Sequence, residues 1–330
     1  MEKEMSKHNI KEMVDEVSKK KTIYKVFNTQ RLESLYSKGL KFQYVKWHGK
    51  TSRSAIMITD EKEDFSKETV INVLRKLEIP ESKIDQAING EGNEYKRITW
   101  LNSSALLSLF CFSNVCEKTP FVFENTKYTQ VYFEWENRAV DKSHPSSLDV
   151  VLFDKTNEKM LCIESKFSEY VYGKTKKSEE FPTEYSGLYT QKENIFFSLR
   201  SGRKAQFISK ESHYLSGIKQ VLAHIYGIEH FAYEPRQNDL VIRPERKTLL
   251  TILKEVKFRE FVFEYDSFDD FNSLYQALYQ GLINKEYRVL ESKNNICINI
   301  GSTINTYQKE FSAPENQKML NENAKLIYSL

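Results

Sequence analysis

The chain has 330 residues, 40% of them hydrophobic and 29% charged, with 21 Phe and 19 Tyr. That is enough to bury a core without covalent staples, and it argues against a disordered chain. The formal net charge of +3 singles out no partner. Cys111, Cys116, Cys162 and Cys297 include no CxxC pair, which removes zinc ribbons and disulfide scaffolds from consideration.

The first residues, MEKEMSKHNIKEMVDEV, are charged where a signal peptide is apolar, and the longest apolar run, near Ala105–Phe112, is too short to span a bilayer. A cytoplasmic protein with no membrane partner is expected. Residues 1–53 hold 13 Lys/Arg against 6 Asp/Glu, a local +7 that suits either a phosphate backbone or a solvated helical face.

From about Ile10 to Leu77 the apolar spacing is mainly helical, with one clear run at Lys67–Leu77 ending before Pro80, while Gly39–Ile58 is more strand-like. Asn89–Asn93 (NGEGN) marks a turn. It separates an N-terminal, mainly helical region (1–92) from a core (93–300).

Trp100–Val115 opens on the capping residues Asn102 and Ser103 and continues as an apolar helix. Thr126–Glu136 alternates as a strand. The stretch 147–169, SLDVVLFDKTNEKMLCIESKFSE, then reads as two strands joined by the short polar loop Asp154–Lys159.

A long polar and aromatic connection, Tyr170–Ser209, leads to a second helix, Ser212–Gly227, closed by its glycine. Beyond lie a strand near Leu240–Arg243, a helix near Thr248–Val256, a strand at Glu260–Tyr265 and a helix at Phe268–Leu282. Helices interleaved with strands predict an α/β fold with a mixed central sheet flanked by helices, in the order α-β-β-β-α-β. The Asn- and Lys-rich residues 301–330 read as a peripheral tail.

The chemistry concentrates in the paired strands. Alternation puts Glu164 and Lys166 on one face of the second strand and Ile163, Ser165 and Phe167 on the other. A hairpin brings Asp149 toward Glu164, and two carboxylates placed together repel unless a cation joins them. Glu-Ser-Lys also occurs at Glu81 and Glu291, but only the copy at Glu164 follows a strand-like apolar run and an earlier strand bearing an Asp.

Asp239 with Glu255 and Lys257 is a rival at nearly the same separation. The spacing of Leu249, Leu253, Val256 and Glu260 reads as helix, on which Glu255 and Lys257 point roughly 200° apart. Without a metal, the Asp149, Glu164 and Lys166 set reads instead as a cross-strand salt bridge. The bland reading of His224 and His230 is helix-face or loop histidine.

Asp149, fourteen intervening residues, then Glu164-Ser165-Lys166, set between an apolar helix and an amphipathic one, resembles the PD-(D/E)xK nuclease superfamily, with its restriction-endonuclease-like fold. The resemblance covers roughly Trp100–Tyr226. It implies that Asp149 and Glu164 bind Mg²⁺, with Mn²⁺ as a substitute and the Ser165 carbonyl as a third ligand. Lys166 would position or activate the attacking water.

It also implies Glu134 as an additional acid, with Glu136 as the alternative, and Gln220 beside the metal. The family often has a tyrosine four residues after that glutamine, where this chain has His224, and Leu148 stands in place of the proline before the Asp. The implied activity is hydrolysis of DNA phosphodiesters by an endonuclease, and homo-oligomers are compatible with it.

The connection 170–209 is then an insertion carrying Lys174, Lys176, Lys177, Arg200, Arg203 and Lys204 among Tyr172, Tyr185, Tyr189, Phe196 and Phe197. Cations for phosphates and rings for bases suit a nucleic-acid groove, although Glu179, Glu180, Glu184 and Glu193 suit a plain surface loop. The alternatives are a catalytically inactive nucleic-acid-binding or regulatory module on the same scaffold, and a protein-interaction domain. No P-loop, dinucleotide turn or HExxH segment is present.

Overall fold

The computed structural model describes residues 27–48, 52–60, 66–89, 94–140, 144–167, 176–189, 195–199, 204–213, 218–237, 239–265, 276 and 279–330. Helix α1 (Thr29–Ser37) is capped by Asn28, whose side chain accepts from the Arg31 N–H at 3.1 Å. The strand-like stretch after it is an antiparallel hairpin, β1 (Lys41–His48) with β2 (Ser52–Thr59). Helices α2 (Lys67–Lys76) and α3 (Glu81–Ile88) follow, the first capped by Ser66. The helical reading of residues 10–26 and the linker residues 90–93 lie outside the described residues.

Helix α4 (Ser104–Phe112) begins where Ser103 Oγ accepts from the Leu106 N–H, so the serine just before the apolar run sets its start. After it come β3 (Phe121–Phe123), β4 (Thr126–Asn137), β5 (Ser146–Asp154) and β6 (Lys159–Lys166), each antiparallel to the next. The expected connection 170–209 is not plain loop. It contains β7 (Lys176–Pro182), β8 (Ile195–Leu199) and β9 (Lys204–His213), which form a separate three-stranded antiparallel sheet ordered β7-β9-β8.

Helix α5 (Ile218–Glu229) runs through Gly227 rather than ending there. The glycine serves packing: a Cβ at this position would lie 2.7 Å from Asn137 Cβ and 3.0 Å from the Arg138 carbonyl oxygen, so only a hydrogen lets the helix lie this close to the end of β4. The expected strand near Leu240–Arg243 is reduced to one bridge between Tyr233 and Ile242.

Helix α6 (Pro244–Ile252) starts earlier than its apolar spacing suggested and stops before β10 (Glu255–Val262). The helical reading of Glu255–Lys257 is therefore corrected to strand. Strand β10 is buried on both faces, so its apolar residues give no clean two-residue alternation. Residues 279–283 are helical, and the rest of the helix expected at 268–282 lies outside the described residues except for 276.

The main sheet has the order β11-β10-β6-β5-β4-β3, where β11 is Ile298–Ile300, and β12 (Asn305–Thr306) also pairs with β10. Strand β10 runs parallel to β6, β11 and β12, so the sheet is mixed. One apolar cluster joins α1 to α4 to one face through Val150, Leu152, Leu161 and Ile163. The other joins α5 and α6 to the opposite face through Val151, Phe153, Met160 and Cys162. The protein is thus α/β, with a mixed central sheet flanked by helices.

The tail expected at 301–330 is a correction too. It forms α7 (Tyr307–Ser312), α8 (Pro314–Gln317) and α9 (Glu322–Tyr328), and Tyr307, Phe311, Met319, Ile327 and Tyr328 are buried against α4 and the sheet. Its asparagines mislead because they are spent on backbone. Asn316 bonds both the N–H and the carbonyl of Val122, while Asn321 and Asn323 donate to the Leu77 carbonyl. Polar composition here reports satisfied buried amides rather than solvent exposure. Among the described residues no helix is long and apolar enough to cross a membrane.

Candidate active site

The hairpin that carries the site is fixed at its closed end. Asp154 accepts from the Lys159 N–H at 2.9 Å and from the Thr156 hydroxyl at 2.6 Å, and Asn157 takes the left-handed conformation the turn requires, at φ 59°. These contacts set the register in which Val150 faces Ile163.

One residue further, Asp149 and Glu164 follow on the two strands and ladder pairing gives way to a side-chain contact. The Ser165 N–H donates to Asp149 Oδ2 at 2.6 Å. In extended chain a residue's carbonyl leaves on the same edge as its N–H, so the Ser165 carbonyl also points toward Asp149.

The expected alternation of β6 holds. Ile163 and Phe167 belong to the cluster under α4, and Glu164 and Lys166 face α5. Lys166 Nζ donates to Glu164 Oε1 and, at 2.8 Å, to Gln220 Oε1. Glu164 is 1% exposed and Lys166 8%. His224, one helical turn beyond Gln220, brings Nε2 to 2.8 Å from Glu164 Oε2 but out of line for a hydrogen bond, while its Nδ1 lies 2.5 Å from Ser146 Oγ. Helix α5 thus holds both members of the Glu164–Lys166 pair, one from each of two residues four apart.

Two carboxyls this close are driven in opposite directions. For Asp149, burial pushes the pKa well above the usual carboxylate range, the charges of Glu164 and Glu134 push it further, and Lys166 and the Ser165 N–H oppose them. For Glu164, burial also works upward but is outweighed by Lys166 and His224, which lower it to about 2. Without a cation these influences favour the protonated form of Asp149, whose Oδ1 has no hydrogen bond among the described residues.

Glu134 is the acid that the structure adds to this group. It sits in β4 with a left-handed backbone, φ 50°, between the pairs Phe133–Val150 and Trp135–Leu148. A non-glycine residue in that conformation is strained and is found preferentially at functional sites. Its expected alternative, Glu136, pairs instead with Arg236 at 3.0 Å.

Asp149, Glu164, Lys166, Glu134, Gln220 and His224 all line one cavity of about 770 Å³, within the range usual for ligand sites. Arg97, Lys219 and His144 add cationic or titratable groups to its other walls. The donors on offer to a divalent ion are the free oxygen of Asp149, the second oxygen of Glu164 and the Ser165 carbonyl. All are oxygen, the kind Mg²⁺ and Mn²⁺ prefer. Among the described residues no group of three or more His, Cys, Asp or Glu side chains is placed to hold a metal.

The rival set does not assemble. Glu255 and Lys257 share one face of β10, but Lys257 is held between Glu255 (3.0 Å) and Glu124 (2.9 Å), and Asp239 lies in the loop whose carbonyl faces Arg138. In the insertion, Tyr185 and Tyr189 are buried in an apolar cluster and so offer no open ring for a base. The side chains of Tyr172, Phe196, Phe197 and the six cations named with them lie outside the described residues. His230 is a packing histidine, stacked on Tyr226 with ring centroids 4.1 Å apart.

Three residues were missed. His224 had a usable signal, its four-residue spacing from Gln220. Glu260 is 3% exposed on β10, in register with Glu164, and accepts from the Tyr279 hydroxyl at 2.9 Å. Tyr307, in the supposed tail, bonds Ser165 Oγ at 2.6 Å and had no local signal.

No known protein-family model, curated protein or solved structure matches the chain.

Proposed function

We propose that the protein is a metal-dependent phosphodiesterase acting on DNA, an endonuclease built on a restriction-endonuclease-like core. The observation that carries this reading is the convergence of Asp149, Glu164 and Lys166 on one cavity wall at the point where β5 and β6 stop pairing. The order α4, β4, β5, β6, α5, β10, with β10 parallel to β6, agrees with such a core.

In this reading Asp149, Glu164 and the Ser165 carbonyl hold Mg²⁺ or Mn²⁺. A bound divalent ion supplies a water of lowered pKa and neutralises charge on the phosphate. Lys166, kept in place by Glu164 and Gln220, contributes a fixed ammonium that stabilises charge developing on a phosphate oxygen. Glu134 keeps the cavity negative next to Asp149, favouring a cation over an anion until substrate arrives. Arg97 and Lys219 add positive charge to the cavity walls, which suits phosphates flanking the scissile one.

The test is cleavage of plasmid, linear duplex and single-stranded DNA in Mg²⁺ or Mn²⁺ against an EDTA control. Asp149→Ala and Lys166→Ala should each lose at least about a hundredfold in rate while keeping the wild-type circular dichroism spectrum. Full cleavage by either variant removes these residues from the mechanism.

A second reading, a nucleic-acid-binding module without turnover, draws on a different observation. Both oxygens of Glu164 face basic groups, Lys166 and His224, which leaves that carboxylate neutralised without a metal. Tight DNA binding with no cleavage of any of these substrates would favour it.

A further inference from the structure

On the side of β6 opposite Glu164 and Lys166, a line of buried hydroxyls ties three elements together. Ser165 Oγ lies 2.6 Å from the Tyr307 hydroxyl, which lies 3.3 Å from Ser108 Oγ. Ser165 Oγ also donates to the Ser104 carbonyl at 3.4 Å. Each hydroxyl has one proton, so that donation orders the rest: Tyr307 donates to Ser165, and Ser108 donates to Tyr307. The Tyr307 ring is fully buried and packed among Phe112, Phe261 and Phe311. Its hydroxyl therefore has little freedom to point elsewhere.

Ser165 is where this line meets the cavity. Its N–H holds Asp149 Oδ2, and its carbonyl leaves on the same edge. On that edge the pairing of β6 with β5 has already ended, whereas pairing with β10 continues on the other. On the Asp149 edge the Ser165 peptide groups therefore have no ladder partner, and the β10 ladder holds them from the other edge only. On the side-chain side, the bond to the Tyr307 hydroxyl is the shorter of the two that fix Ser165 Oγ, at 2.6 Å against 3.4 Å to the Ser104 carbonyl.

We propose that Tyr307 is a positioning residue for the cation site, its hydroxyl fixing Ser165 so that the Ser165 N–H holds the Asp149 carboxylate in the orientation that takes a divalent ion, with the Ser165 carbonyl directed to the same edge. This rests on the reading of Asp149 as a cation ligand. It brings residues 305–312 into the working site, although none of them lines the cavity. Outer-shell groups of this kind orient ligands without touching the metal.

Tyr307→Phe deletes one oxygen and keeps the ring. Mn²⁺ binding to wild type and variant, without DNA, should weaken on the order of tenfold, and the serine-labelled NMR spectrum should show the Ser165 amide proton moving upfield as its bond to Asp149 lengthens. In cleavage assays the Mg²⁺ midpoint should rise while the KM for DNA stays constant. Ser108→Ala, at the far end of the line, should shift the same quantities in the same direction by less, and serves as the test if Tyr307→Phe does not fold.

An unchanged Ser165 amide together with Mn²⁺ affinity within about twofold of wild type would reduce Tyr307 to a packing residue and overturn the proposal. If wild type binds no Mn²⁺, the cation reading of Asp149 fails. The Ser165 amide then still decides whether Tyr307 orients this peptide.

Discussion

Glu164→Gln exchanges the buried carboxylate for a neutral group of the same shape and so isolates what its charge contributes. The folded chain holds the Glu164 carboxyl at about 2 against 4.5 for an unperturbed glutamate. At neutral pH that difference corresponds to roughly 3 kcal/mol of stability. Because the folded pKa lies below the unfolded one, the contribution is complete above about pH 4.5 and is lost as the pH falls toward 2, with less than half of it left at pH 3. Lys166, left facing an amide, adds to the loss rather than offsetting it.

The measurement is urea unfolding of wild type and Glu164→Gln in EDTA at pH 7 and pH 3. The gap between the two proteins should be about 3 kcal/mol at the higher pH and less than half of that at the lower. A gap that does not change with pH, or a glutamine variant as stable as wild type at pH 7, would mean that Lys166 and His224 do not hold an ionised Glu164.

Two further outcomes follow from packing and from local electrostatics. Gly227→Ala drives a methyl group into Asn137 Cβ and the Arg138 carbonyl, and should lower stability by about 1–3 kcal/mol in thermal or urea unfolding, since backbone on one side cannot yield. Of the four cysteines, exposed Cys116 and Cys297 should react with a thiol reagent in the native protein while buried Cys111 and Cys162 wait for unfolding. Cys116 should react faster near pH 8, because its hydrogen bond with Thr119 lowers its pKa whereas the Glu286 carboxylate raises that of Cys297.

What the sequence made legible was local. Ser103 before an apolar run marks the start of α4, and the two-residue alternation through Glu164 and Lys166 places both on the face that meets α5. The spacing from Asp149 to Glu164 is a property of one hairpin, so it survives folding unchanged. The illegible parts depend on partners distant in sequence. Gly227 read as a helix end because nothing near it reveals Asn137, and β10 read partly as helix because burial on both faces erases its alternation.

The last thirty residues read as a tail because asparagine usually signals solvent. Asn316, Asn321 and Asn323 instead bond backbone groups of Val122 and Leu77. Within the site, the family resemblance points to Gln220, and the four-residue spacing from it is the one local mark on His224, whose facing carboxylate comes from a strand distant in sequence.

The way β6 is stitched into the sheet also governs the sequence of events in folding. Its partner β5 arrives through a tight turn, and such hairpins close in about 1–10 µs. Its other partner, β10, runs parallel and must be recruited from the far side of the second sheet and helices α5 and α6. Non-local parallel pairing of that kind is slow. The local hairpin alone thus sets Asp149 beside Glu164, whereas Lys166 and Glu164 meet Gln220 and His224 only through a helix that the chain reaches after an entire second sheet.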